Sequence, residues 1–191
     1  VLFGRSQPSE AVQALIEESG GRVLHQRVDV TDAQAVRGLI DDLSTRFGPL
    51  TGVFHAAGIL DDGPLAAKTP EGMRKVLAPK VAGTTVLEAA IGDAPLEFFI
   101  LFSSLTGALG NPGQADYAAA NGFMAAFADQ RNRQSAAGKR QGVTLAIDWR
   151  NSPIFLRRPP RTFSPIRTQY TMVTPDLKLI GGLVPMEYRT Q

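Results

Sequence analysis

The 191-residue chain has no cysteine. Disulfides and thiolate metal centres are thereby excluded, which suits a reducing compartment, and no metal site is expected. Long apolar runs are missing too. None reaches the length a bilayer requires, and Val1-Leu2-Phe3 passes at once into Gly4-Arg5-Ser6, where a signal peptide would carry its apolar core. The expectation is a cytoplasmic chain with no membrane contact. Nor is there an internal repeat or a low-complexity block, so solenoid and disordered classes give way to a packed domain. An apolar fraction of 43% is enough to fill one core.

The charge is unevenly distributed. Residues 1–149 hold 13 Lys/Arg against 16 Asp/Glu, a net of −3, while residues 150–191 hold 7 against 2, a net of +5. The chain therefore divides into a domain at 1–149 and a divergent basic tail at 150–191, the latter expected to be irregular. The tail's "RRPPR" at Arg157 to Arg161 reads as a solvated stretch without an aromatic stacking platform, and no nucleic-acid partner is expected.

Short β-branched or aromatic runs alternate with longer helical patterns. The runs are "VLF", "RVLHQRVDV", "LTGVFHAAG", "LEFFILFSS" and "GVTLAIDW". Between them, "SEAVQALIEESGG" has Ser9 as N-cap and Gly20-Gly21 as its stop, and "TDAQAVRGLIDDLSTRFG" opens with Thr31 and Gln34 in capping-box spacing. Alternation of this kind with nearly continuous apolar strands predicts an α/β fold, a doubly wound parallel sheet with helices on both faces. Ligands bind such sheets beyond the carboxyl ends of the strands. There the chain places Gly4-Arg5-Ser6, Asp29-Val30, His55-Ala56-Ala57-Gly58 and Ser103-Ser104.

Tyr117 and Asn121 are four apart in the helix-forming "YAAANGFMAAFADQ" and share one face. Ser104 sits at the strand end feeding that helix. A strand-end hydroxyl and a phenol on the next helix reach one carbonyl oxygen together, the first steadying it and the second protonating it. A tyrosine titrating near ~10 needs a cation beside it to work near neutral pH, and Lys80 is the candidate. Taken singly, the tyrosine would be a packing residue, Ser104 a strand-end cap and Lys80 a surface charge. His55 is the rival acid or base, with a structural role as the alternative.

With "HAAGILDDGPL" and "FSSLTGALGNPGQADYAAAN" on the page, the chain resembles the short-chain dehydrogenase/reductases, and within them the ketoreductase domains of modular polyketide synthases. The likeness covers residues 1–149. The general family has lysine four after the tyrosine; here that position is Asn121, and Lys80 stands 37 residues before Tyr117, the exchange found in polyketide ketoreductases. The resemblance implies a Rossmann-like fold and reduction of a β-ketoacyl group on an acyl carrier protein, among other polyketide synthase domains. It implies Tyr117, Ser104, Lys80 and Asn121 as catalytic residues and NADPH as cofactor. NADPH is favoured because Gly4-Arg5-Ser6 offers a guanidinium and a hydroxyl suited to a 2′-phosphate where NAD-preferring sites place a carboxylate. Arg5 is otherwise an exposed surface arginine. Asp29 and Val30 resemble the adenine-contacting segment, although "DVTD" is also a plain helix start. Ala56, Ala57 and Gly58 resemble the small residues beside ribose and nicotinamide. Leu60-Asp61-Asp62 resembles the loop of B-type ketoreductases, which give a D-configured hydroxyl, and the A-type tryptophan is replaced by Leu109.

Two departures are expected to matter. The family's first strand and glycine-rich loop do not precede "VLFGRS", which leaves the strands beside the sheet centre without a partner. After "AIDW" the family's lid helix is not recognisable, and Gly181-Gly182 weakens Leu177 to Val184 as a substitute strand. The alternative reading is accordingly a truncated, inactive remnant with at most a structural role.

Overall fold

A computed structural model of the chain describes residues 1–148. The basic tail, the Arg157–Arg161 cluster and the Leu177–Val184 segment lie outside the described residues. Five strands alternate with six helices among them. In chain order these are β1 (Leu2–Gly4), α1 (Glu10–Glu18), β2 (His25–Arg27), α2 (Ala33–Phe47), β3 (Gly52–His55), α3 (Pro70–Lys80), α4 (Ala82–Ile91), β4 (Phe98–Phe102), α5 (Thr106–Leu109), α6 (Ala115–Ala136) and β5 (Val143–Ile147). No described helix is long and apolar enough to cross a membrane.

The helix starts follow side-chain chemistry. Ser9 Oγ accepts from Val12 N–H at the head of α1. At α2 the expected Thr31–Gln34 box is not the cap. Asp32 Oδ1 accepts from Gln34 and Ala35 N–H at 3.1 and 3.0 Å, and the Thr31 hydroxyl turns back to donate to Asp29 Oδ1 at 2.7 Å. A carboxylate outcompetes a hydroxyl for helix N–H groups because it also carries charge towards the positive helix end.

Every strand pairing is parallel, as the alternation predicts. β1 pairs with β2 in one two-stranded sheet, and β3-β4-β5 form a second sheet of three. Among the described residues nothing pairs with the free side of β1 or of β3, so both remain edges there. β2 to β5 are also shorter than the apolar runs that announced them: β2 is three residues long and partnered on one side. A single core nonetheless joins the parts. Val30, Val36, Ile40, Leu87, Phe99, Leu101 and Met124 are buried together, with Phe3, Val28 and Val53 packed against them. β4 alternates accordingly: Phe99 and Leu101 are fully buried, while Phe98, Ile100 and Phe102 are half-buried on the other face. On that second face Phe54 is 61% exposed and stacks on Phe98 at 5.1 Å between centroids.

Candidate active site

The end of β4 and the start of α6 are held together by backbone contact. Between them lies α5, where a Cβ added at Gly107 would stand 2.8 Å from the Gly122 nitrogen and 2.9 Å from the Asn121 carbonyl carbon. Only glycine permits that approach, and this is the physical reason for the small residues between the serine pair and the tyrosine. The two serines separate in role. Ser103 Oγ donates to the Asn121 carbonyl at 3.2 Å, tying strand end to helix. Ser104 Oγ accepts from Thr106 N–H at 3.2 Å and donates to Thr106 Oγ1 at 3.1 Å.

α6 carries Tyr117, half-buried, and Asn121, fully buried, one turn apart. Asn121 Nδ2 donates to the Tyr117 carbonyl at 2.7 Å. Asn121 Oδ1, by contrast, is buried and has no partner among the described residues, an orphan acceptor of the kind that marks a site for water or a ligand.

α3 delivers Lys80 from below. Proline at 79 removes one helical N–H near the end of α3, and the Pro79 carbonyl accepts from His55 Nε2 at 3.0 Å. The next residue turns inward. Lys80 is 4% exposed, donates to the Phe102 carbonyl at 2.6 Å, and holds its ammonium 5.7 Å from the centroid of the Tyr117 ring. Burial lowers its pKa to about 8, so near neutral pH a cation sits against the aromatic ring. Gly58 faces the same lysine, since a Cβ there would lie 3.2 Å from Lys80 Cε. His55 belongs to the structure: burial, reinforced by the charge of Lys80, pushes its pKa down to about 4, leaving a neutral ring committed to a backbone carbonyl.

The structure thus brings Tyr117, Asn121 and Lys80 together at the end of β4 where Ser104 stands. The other candidates lie at neighbouring strand ends. Arg5 and Ser6 are exposed just after β1, beside the half-buried Gly4. Asp29 accepts from the Thr31 backbone and hydroxyl, and these two bonds, helped by the charge of Arg5, hold its carboxyl below the usual range. Val30 is 7% exposed and packs on Gly83, where a Cβ would meet its Cγ1 at 2.8 Å; its side chain belongs to the core. Ala56 is exposed after β3, and Ala57 packs against the core.

Sequence reasoning missed one pair. Lys68 Nζ and Asp116 Oδ2 are 2.7 Å apart with side chains 5% and 1% exposed. An acid in the first turn of a helix needs no explanation beyond the helix dipole, and a lysine just before a Thr-Pro-Glu helix start looks solvated, so neither residue signals the other across 48 positions.

The chain is similar to known proteins. The family model of the KR domain matches residues 1–151. The chain is 45% identical over 152 residues to polyketide synthase PksN of Bacillus subtilis, covering 78% of this chain and 3% of that protein. Among solved structures, a ketoreductase domain from the bacillaene assembly line matches with a TM-score of 0.73 and 45% identity, over 77% of this chain and 36% of the other. A short-chain dehydrogenase from Mycobacterium avium, 23% identical with a TM-score of 0.63 over 71% of this chain and 51% of its own, shares the fold. This chain therefore spans only a small part of its curated relatives' length and about a third of the solved ketoreductase. A Rossmann-like sheet, a Tyr-x-x-x-Asn helix over a buried lysine and the KR match along residues 1–151 lead to one conclusion: the chain belongs to the ketoreductase (KR) domain family, on the short-chain dehydrogenase fold.

Proposed function

We propose that this chain forms the catalytic part of a cytoplasmic polyketide synthase ketoreductase that uses NADPH. It reduces a β-ketoacyl group carried by an acyl carrier protein to a D-configured β-hydroxyacyl group. The observation that carries the reading is the buried Lys80 ammonium beneath Tyr117, one helical turn from Asn121. Tyr117 donates its phenolic proton to the carbonyl oxygen, and Ser104 steadies that oxygen by a hydrogen bond. Lys80 offsets the phenolate left behind. Asn121, whose Oδ1 has no partner among the described residues, holds the water that returns the proton.

The strand ends suit a nicotinamide dinucleotide. Arg5 and Ser6 would meet the 2′-phosphate, with Gly4 giving room in the turn. Asp29, held ionised, would accept from the adenine end, with the Val30 backbone beside it. Ala56, Ala57 and Gly58 would let the ribose and nicotinamide approach. When bound, the reduced nicotinamide supplies the hydride for the carbonyl carbon. Leu60-Asp61-Asp62, beside the entrance to α6, supports the D outcome.

The test is the reduction of a β-ketoacyl thioester by the parent synthase polypeptide, with chiral analysis of the product. Tyr117→Phe should lower kcat by about 10² or more with cofactor affinity within a few-fold, and Arg5→Ala should erode the preference for NADPH over NADH. Near-normal turnover of the phenylalanine variant, or mostly L product, would sink the assignment. The remnant reading, a chain with only a structural role, draws on the one side of β1 and of β3 that nothing pairs with among the described residues. It predicts no turnover in the parent polypeptide either.

A further inference from the structure

The buried ion pair that the catalytic reading leaves unused sits between the Leu60–Asp62 loop and Tyr117. Lys68 follows a short 3-10 turn at Leu65–Ala67 and precedes the Thr69 cap of α3. Its ammonium donates to the Asp61 backbone carbonyl, lies 2.7 Å from Asp116 Oδ2 and is 3.8 Å from Asp61 Oδ2. The other carboxylate oxygen of Asp116 accepts from the Tyr117 backbone N–H at 2.9 Å. One ammonium and one carboxylate thus connect the loop backbone to the backbone of the proposed proton donor.

Two further bonds join the same segments. Gly63 N–H donates to the Gly113 carbonyl at 2.8 Å, and Gln114 Nε2 donates to Asp62 Oδ2 at 2.9 Å. These are exposed or half-exposed, whereas the Lys68–Asp116 pair is buried. A buried ion pair is weak evidence of stability, because desolvation offsets much of the attraction, and such pairs are better attested as devices that fix one geometry. Each partner here satisfies a backbone group of a different segment, as a device for holding two segments in register would.

We propose that Lys68 and Asp116 are positioning residues that fix the Leu60–Asp62 loop relative to Tyr117, and thereby which face of the β-ketoacyl carbonyl meets the hydride. The product arm of this proposal rests on the ketoreductase reading; the loop-holding arm does not. Lys68 acts without touching the reacting atoms. Its loss moves the loop, and a displacement on the order of 1 Å near a reacting centre can cost up to ~10²-fold in a properly oriented rate.

The experiment compares the parent synthase polypeptide with its Lys68→Met, Lys68→Arg and Lys68→Met/Asp116→Asn variants by hydrogen exchange and by chiral product analysis. The double variant guards against unfolding, because it leaves no buried charge unpaired and the new amide oxygen at 116 still accepts from Tyr117 N–H. In it, exchange should quicken in peptides covering 60–64 and 113–115 and stay unchanged across 120–128 in α6. The D:L product ratio should fall about tenfold or more while the KM for NADPH holds. Lys68→Arg should retain most of both properties. Unchanged exchange in 60–64, or quickened exchange with an unaltered D:L ratio, overturns the proposal. A parent polypeptide that reduces nothing removes the ketoreductase reading, and the exchange comparison then decides the loop-holding arm alone.

Discussion

At the scale of single residues, the four residues proposed to do chemistry stand out in the sequence through local features. Tyr117 and Asn121 are one helical turn apart, and Ser104 ends an apolar strand. Lys80 was the cation a phenol needs, and it is the residue whose environment yields the sharpest expectation. Burial lowers it from 10.5 to about 8. The unfolded chain keeps this proton to a higher pH than the folded one, so between about 8 and 10.5 the unfolded state binds more protons and stability rises with pH. Catalysis moves the other way. Once Lys80 is neutral it no longer offsets a phenolate, so on the proposed mechanism the reduction rate falls as pH rises through about 8. A pH–rate profile checks this, and the descending limb near 8 should vanish in Lys80→Met along with most of the rate. Lys68 and Asp116 were not readable, since each fits an ordinary surface role and their meeting depends on how α3 lies against α6.

Among the elements, α1, α2 and the Tyr117 helix α6 were legible in type and place, because helix-forming composition and a polar cap are local properties. Strand lengths were not. A strand extends as far as a neighbour pairs with it, and β2, announced by the nine residues of "RVLHQRVDV" and paired on one side among the described residues, stops after three. The head of α2 shows the same lesson in miniature. Two adjacent residues, Thr31 and Asp32, both suit a cap, and the carboxylate takes the helix while the hydroxyl takes Asp29. Asp32→Ala should therefore cost about 1 kcal/mol in urea unfolding, as loss of an N-cap does. Thr31→Ala should leave the helix capped and let the Asp29 carboxyl rise towards its ordinary range, measurable by NMR titration.

For the whole molecule, a parallel sheet with helices was legible from the alternation of apolar runs and helical patterns, though its division into two sheets among the described residues was not. What the sequence left open was whether the two parts would share a core, and they do, through Val30, Val36 and Phe99. Among the described residues β1 and β3 each keep one unpaired side and Phe54 is exposed, and unpaired backbone groups with uncovered aromatic surface weaken a domain whose typical margin is ~5–15 kcal/mol. Expressed alone, the 191-residue chain should show no NADPH-dependent reduction of a β-ketoacyl thioester. Saturable cofactor binding with turnover would refute this. The division of the sheet has a consequence for how such proteins change. On the proposed roles, the residues that choose the dinucleotide's phosphate lie before residue 31, those that set the handedness of the product lie after residue 58, and α2 runs between them. A recombination crossover within α2 would exchange nucleotide preference between two assembly lines while leaving the stereochemistry of each product to its own parent.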